Sequence, residues 1–143
     1  MLESSLTKMQ TTQTGGCMCG AARYAFTGEP EIVLNCHCTD CQKATGGQFA
    51  TIIALRAEHF SSTGKLTFYD WRGSSGTLLR RGFCPICGTT VFGYPPNPEV
   101  RNIWAGTLDD GDWVVPTLDH WLKSRKPWSV PLDTTEKCLD AFE

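Results

Sequence analysis

Hydrophobic and polar side chains alternate along much of this chain, and the alternating stretches are short. Ala22, Tyr24 and Phe26 are interleaved with Arg23 and Ala25, and Leu66 and Phe68 with Lys65, Thr67 and Tyr69. A period of two is that of a strand with one buried face. Further strands are predicted over residues 32–35, 49–55, 77–81, 89–94, 102–107 and 113–118. Turn-forming residues punctuate them: Thr27-Gly28-Glu29-Pro30, residues 61–64, 72–76 and 94–98, and Asp109-Asp110-Gly111. Helical signals are confined to residues 39–44 and 57–60. The pattern predicts an all-β domain of antiparallel strands.

Its 143 residues suit one domain with a core of its own. Residues 1–14 read as a polar tail, leaving residues 15–143 as a single domain. The tail has no basic start followed by an apolar block, so it is not a secretory signal. No apolar run approaches the length of a membrane span. The expected setting is therefore cytoplasmic, where clustered thiols stay reduced and serve as metal ligands more often than as disulfides. A net charge of -2 supplies no field for polyanions, so neither nucleic acid nor membrane is an expected partner. The two basic clusters, Arg80-Arg81 and Lys123-Arg125-Lys126, read first as solvated surface.

Cysteine changes this picture. Seven of the eight cysteines fall in groups of two, three and two: Cys17 and Cys19; Cys36, Cys38 and Cys41; Cys84 and Cys87. Cys84-Pro85-Ile86-Cys87-Gly88 has the form of a zinc knuckle, whose tight turn aims backbone N–H groups at the sulfurs. The strand-like sequence after Cys87 argues against a redox pair, which opens a helix. With Cys17-Met18-Cys19-Gly20 it would make a closed four-thiolate site, a staple between distant parts of the chain. The remaining three cysteines are one ligand short of a second tetrahedral site. Three protein ligands and one exchangeable position are how catalytic zinc is held. His37, His59, His120 or Cys138 would close the site instead, and spacing alone does not make the pairing of groups unique.

The stretches GGCMCGAARY, NCHCTDCQKATGG, RRGFCPICGTTVF and DHWLKSRKPW together resemble the glutathione-dependent formaldehyde-activating enzyme family, also called the CENP-V/GFA domain. The resemblance runs from about Gly16 to about Trp128. It implies layered antiparallel sheets of the β-tent type stapled by a structural zinc, with two zinc ions per chain. Cys17, Cys19, Cys84 and Cys87 would hold the structural ion, and Cys36, Cys38 and Cys41 the catalytic one. The implied activity is that of a carbon–sulfur lyase acting on a glutathione adduct or related thiol, like S-hydroxymethylglutathione synthesis. Glutathione has carboxylates to bind, for which Arg81, its neighbour Arg80, and Lys126 are candidates. His37, Asp40 and His120 are candidates for the acid or base. The alternative reading is a noncatalytic zinc-binding module that binds a protein partner.

Overall fold

A computed structural model of the chain describes residues 11–140. The strands are β1 (Gln13–Gly16), β2 (Arg23–Phe26), β3 (Ile32–Cys36), β4 (Ala50–Arg56), β5 (Phe60–Thr63) and β6 (Thr67–Arg72). They continue with β7 (Leu78–Phe83), β8 (Thr90–Tyr94), β9 (Val100–Trp104), β10 (Leu118–His120) and β11 (Glu136–Lys137). One short helix, α1 (Thr39–Thr45), follows β3, and single 3-10 turns lie at Ala57–His59, Ala105–Thr107 and Leu122–Ser124. No helix among the described residues is long and apolar enough to cross a membrane.

The strands form two layered sheets: the alternation predicts the strands, and the family resemblance implies their layering. A small one has the order β1-β2-β5, and a large one runs β11-β10-β3-β4-β9-β8-β7-β6. Pairing is antiparallel except at one end of the large sheet, where β10 runs parallel to both β3 and β11. Parallel strands need a long crossover: residues 121–135 connect the parallel neighbours β10 and β11, and residues 105–117 carry the chain from β9 past β4 and β3 to β10. The strand predicted over 113–118 is mostly this connection: Val114 N–H turns back to the Gly111 carbonyl, and only Leu118 enters a strand. Conversely, residues 61–63, predicted as a turn, pair with β2 as part of β5. Their serines carry no hydrophobic alternation because this is a mostly exposed edge. Gln13 and Thr14, read as tail, belong to β1.

The core lies between the sheets. Val33, Ile53, Ile103 and Phe92 are successive register partners across β3, β4, β9 and β8, so their side chains form one buried row. Tyr24 and Phe26 of β2 pack over it from the small sheet. Phe60 bridges the layers, its ring 4.9 Å from Phe92 and 5.8 Å from Tyr24. Complete burial of an aromatic or branched aliphatic side chain contributes about 1.5–3 kcal/mol, so this row supplies much of the drive to layer the sheets.

The reverse face of the large sheet is apolar too. Ile53 and Leu55 of β4 join the core, while Ile52 and Ala54, also buried, point the other way. Their register partners on that face are Leu34, Trp104 and Asn102. A strand apolar on both faces needs cover on both, and the cover on this side is incomplete.

Candidate functional site

Each cysteine pair of the first group sits on a hairpin tip. Cys17 and Cys19 lie between β1 and β2 of the small sheet, and Cys84 and Cys87 between β7 and β8 of the large one. The two tips are built alike. Gly20 and Gly88 adopt φ of +83° and +76°, and their N–H groups return to the carbonyls of Cys17 and Cys84 at 3.1 and 2.9 Å. This left-handed turn, costly for a residue with a Cβ, leaves other N–H groups facing sulfur. Ala22 donates to Cys17 Sγ at 3.2 Å and Ile86 to Cys84 Sγ at 3.4 Å.

All four sulfurs lie within 4.8 Å of one another. Zn–S bonds of 2.3 Å in a tetrahedron require sulfur–sulfur edges of about 3.8 Å. Cys19 Sγ is 3.6 Å from Cys17 Sγ and 3.7 Å from Cys84 Sγ, so the donor set fits zinc. Every described cysteine is a free thiol. Thr89, through its hydroxyl and backbone, draws the Cys87 thiol down to about 5, which readies it as a thiolate ligand.

The second group is local. Cys36 ends β3, Cys38 is the N-cap of α1, and Cys41 lies in its first turn, donating its N–H to Cys38 Sγ at 3.2 Å. Their sulfurs also lie within 4.8 Å of one another. Hydrogen bonds from Cys36 and Cys41 pull the Cys38 thiol down to about 3. Bonding to Cys38 pushes Cys36 up to about 12, and Cys36 and Cys38 together push Cys41 up. Thiolates this close repel one another until a cation balances their charge, which is the donor chemistry of a metal site.

His37 faces away from these sulfurs, as the middle residue of C-x-C is expected to. Fully buried, it places Nε2 2.7 Å from Asp119 Oδ1 and its ring 4.9 Å from that of Phe49. The Thr135 hydroxyl donates to Asp119 Oδ2, and Lys137 Nζ approaches the same oxygen at 3.2 Å. Burial works to raise the Asp119 pKa, but hydrogen bonds from Thr135, His37 and Lys137 outweigh it and hold the carboxyl below its ordinary range. The loop is tied further by Gln42, whose side-chain amide donates to the carbonyls of His37 and Ser124 at 2.8 and 3.0 Å. Sequence reasoning missed this latch, because its members are spread between residues 37 and 137.

A cleft of about 350 Å³ opens over the second group. Cys36, Cys38 and Cys41 all line it, whereas none of the first four cysteines does. Its floor is the reverse face of the large sheet, with Leu34, Ile52, Ala54 and Trp104. Gly93 lets the ring of Trp104 lie close: a Cβ there would sit 2.7 Å from the Arg80 carbonyl and 3.4 Å from Trp104 Cζ3. The walls include Trp71, Tyr94 and Trp121. Trp121 has φ +61°, the one positive value at a non-glycine among the described residues. Such strain gathers where a site needs a particular side-chain direction.

Two of the three acid–base candidates, Asp40 and His120, line the cleft. His120 is the register partner of Cys36, and burial lowers its pKa, with Cys38 opposing and His37 adding to the shift. Asp40 accepts from Trp71 Nε1 at 3.1 Å. The three cations considered for a carboxylate differ in placement. Arg81 is in register with Tyr69 and Gly93, and through Gly93 with Asn102 and Ala54, so it lies on the sheet face that floors the cleft, stacked over Tyr69 and Trp71, 5.0 and 5.4 Å from their centroids. Lys126 is exposed and away from the wall. Arg80 borders the cleft, but its side chain, in register with Asp70 and Tyr94, belongs to the opposite face and is held there by Asp70 through bonds of 2.6 and 3.0 Å. Strand alternation separates the two arginines. Of the other residues weighed as a fourth ligand, His59 pairs with Glu58 and Cys138 donates to the Asp140 carbonyl.

A protein of Rhodobacter sphaeroides known from a crystal structure is similar in fold, with a TM-score of 0.53 at 22% identity over 72% of this chain and 91% of that one. The profile of the glutathione-dependent formaldehyde-activating enzymes matches residues 12–124. That span takes in both cysteine groups, both hairpin tips and His120, and the chain belongs to the glutathione-dependent formaldehyde-activating enzyme family.

Proposed function

We propose that this protein is a zinc-dependent carbon–sulfur lyase acting on the adduct of a thiol, glutathione or a related one, with a carbonyl compound. Cytoplasmic thiol chemistry is its expected setting. The observation that carries the reading is that all three cysteines of one group line a ligand-sized cleft, while the four of the other group are excluded from it. In this reading Cys17, Cys19, Cys84 and Cys87 hold a structural zinc, and Cys36, Cys38 and Cys41 hold a second whose remaining position faces substrate. Zinc there would keep a substrate sulfur deprotonated at neutral pH.

The chain's own groups account for the rest. In the cleaving direction the C–S bond of a hydroxyalkyl thioether breaks, its electron pair leaves with sulfur, and the hydroxyl oxygen forms the C=O bond as its proton departs. His120 and Asp40, both on the cleft wall, are the groups assigned to that proton. The reverse step runs through the same groups. Asp119, through His37, positions the loop that carries Cys36 and Cys38.

The test is metal content and, with cobalt in place of zinc, the visible spectrum titrated with glutathione, using S-methylglutathione as control. Two metals per chain and a shift with the free thiol alone are expected. Two metals and no shift with any thiol would instead favour a noncatalytic zinc module.

A further inference from the structure

Resting on the thiol-adduct reading above, we propose that the group borne by the substrate sulfur is apolar and ring-bearing, an aromatic thioadduct, and that the cleft selects for it. A one-carbon partner such as formaldehyde would leave a cleft of about 350 Å³ largely unfilled. A glutathione moiety lying in the cleft would bring two carboxylates and an ammonium. The two nearby arginines are already engaged: Arg80 is bound twice by Asp70, and Arg81, on the cleft's sheet face, is stacked on Tyr69 and Trp71.

Two neighbouring cations rest on rings. Arg81 stacks on Trp71, and Lys123 Nζ lies 4.7 Å from the Trp121 centroid. Each contact braces an aromatic residue that lines the cleft. Trp71 is fixed further by its hydrogen bond to Asp40. Pre-oriented rings around a floor of Leu34, Ile52 and Ala54 bind a flat apolar group at little ordering cost.

Cobalt-loaded protein titrated with benzyl mercaptan, 2-mercaptoethanol and glutathione tests this, because all three present an alkyl thiol and differ in what it carries. Benzyl mercaptan is expected to bind at least about tenfold more tightly than either other thiol. Trp71→Ala should bring its affinity to within about threefold of that of 2-mercaptoethanol for the same variant. Equal affinities, or tighter glutathione, would overturn the proposal while leaving the open metal position intact. Retention of the full preference in both Trp71→Ala and Trp104→Ala would overturn the assignment to these rings. A spectrum unmoved by every thiol would overturn the underlying lyase reading as well, and so marks that separate failure.

Discussion

The four-cysteine group joins hairpins from two different sheets, whereas the three-cysteine group is contained within residues 36–41 and anchored at the end of β3, an interior strand of one sheet. Both gather sulfur at metal-binding distances. They differ in what a metal would close. Across the sheets it would hold together two layers that otherwise meet through the apolar core and a few hydrogen bonds, such as that from Met18 N–H to the Thr89 hydroxyl, and such a tie adds directly to folding free energy. Within one loop it would close little chain, and the fold around it is held by other means, chiefly the latch of His37, Asp119, Thr135 and Lys137. Proximity of cysteines in sequence therefore does not measure their structural weight; the separation of the elements they join does.

The comparison breaks most readily at Cys84, which is fully buried. Structural zinc sites of this donor type contribute about 10–16 kcal/mol, against a total stability of about 5–15 kcal/mol for a domain. Cys84→Ser is thus expected to lose one metal per chain together with cooperative thermal unfolding. Cys41→Ser is expected to lose one metal too, but to keep its Tm within about 5 °C while turnover falls to background. Metal analysis and calorimetry on the two variants separate the roles; similar losses of Tm would erase the distinction.

A smaller effect probes the latch. Asp119→Asn leaves His37 and Lys137 facing a neutral group in a buried setting, a change expected to cost about 3 kcal/mol in urea denaturation. Chelator competition should show about tenfold weaker metal binding at the three-cysteine group and none of that loss at the four-cysteine group. An equal loss at both would mean that Asp119 acts on the fold as a whole.

The smallest expected effect concerns the small sheet. Arg23 and Thr14 hold the Asp109 carboxyl down to about 2, from an ordinary value of 3.8. A depressed carboxyl contributes stability that is complete above its unfolded value and disappears as pH falls through its folded one. Asp109→Asn should therefore flatten the acid side of the stability profile between about pH 4 and pH 2. Unchanged slopes in that window would show that the exposed pair contributes nothing, a common result for surface ion pairs.

Much of this was legible in the residues. Alternation at Tyr24 and Phe26 marked a buried strand face, the short helix after Cys38 was signalled at residues 39–44, and the knuckle form of Cys84-Pro85-Ile86-Cys87-Gly88 was written in its glycine. The run Ala50–Arg56 also held a clue, since Ile52 and Ile53 are apolar neighbours that must face opposite ways. Read fully, it announces a second apolar surface and hence the cleft. What escaped was long-range: the parallel seating of β10 beside β3, the Asp119 latch, and the stacking of Arg81 on Trp71.

By itself the sequence determined the local chemistry, namely which thiols are near neighbours along the chain, where turns must form, and which strand faces are apolar. These follow from the geometry of one or two peptide units and the period of two. Only the tertiary structure decided which cysteine group staples two sheets, which lines a cleft, and which aromatic rings surround it. Those outcomes depend on contacts between elements far apart in the chain, and packing two layers around one core brings them together.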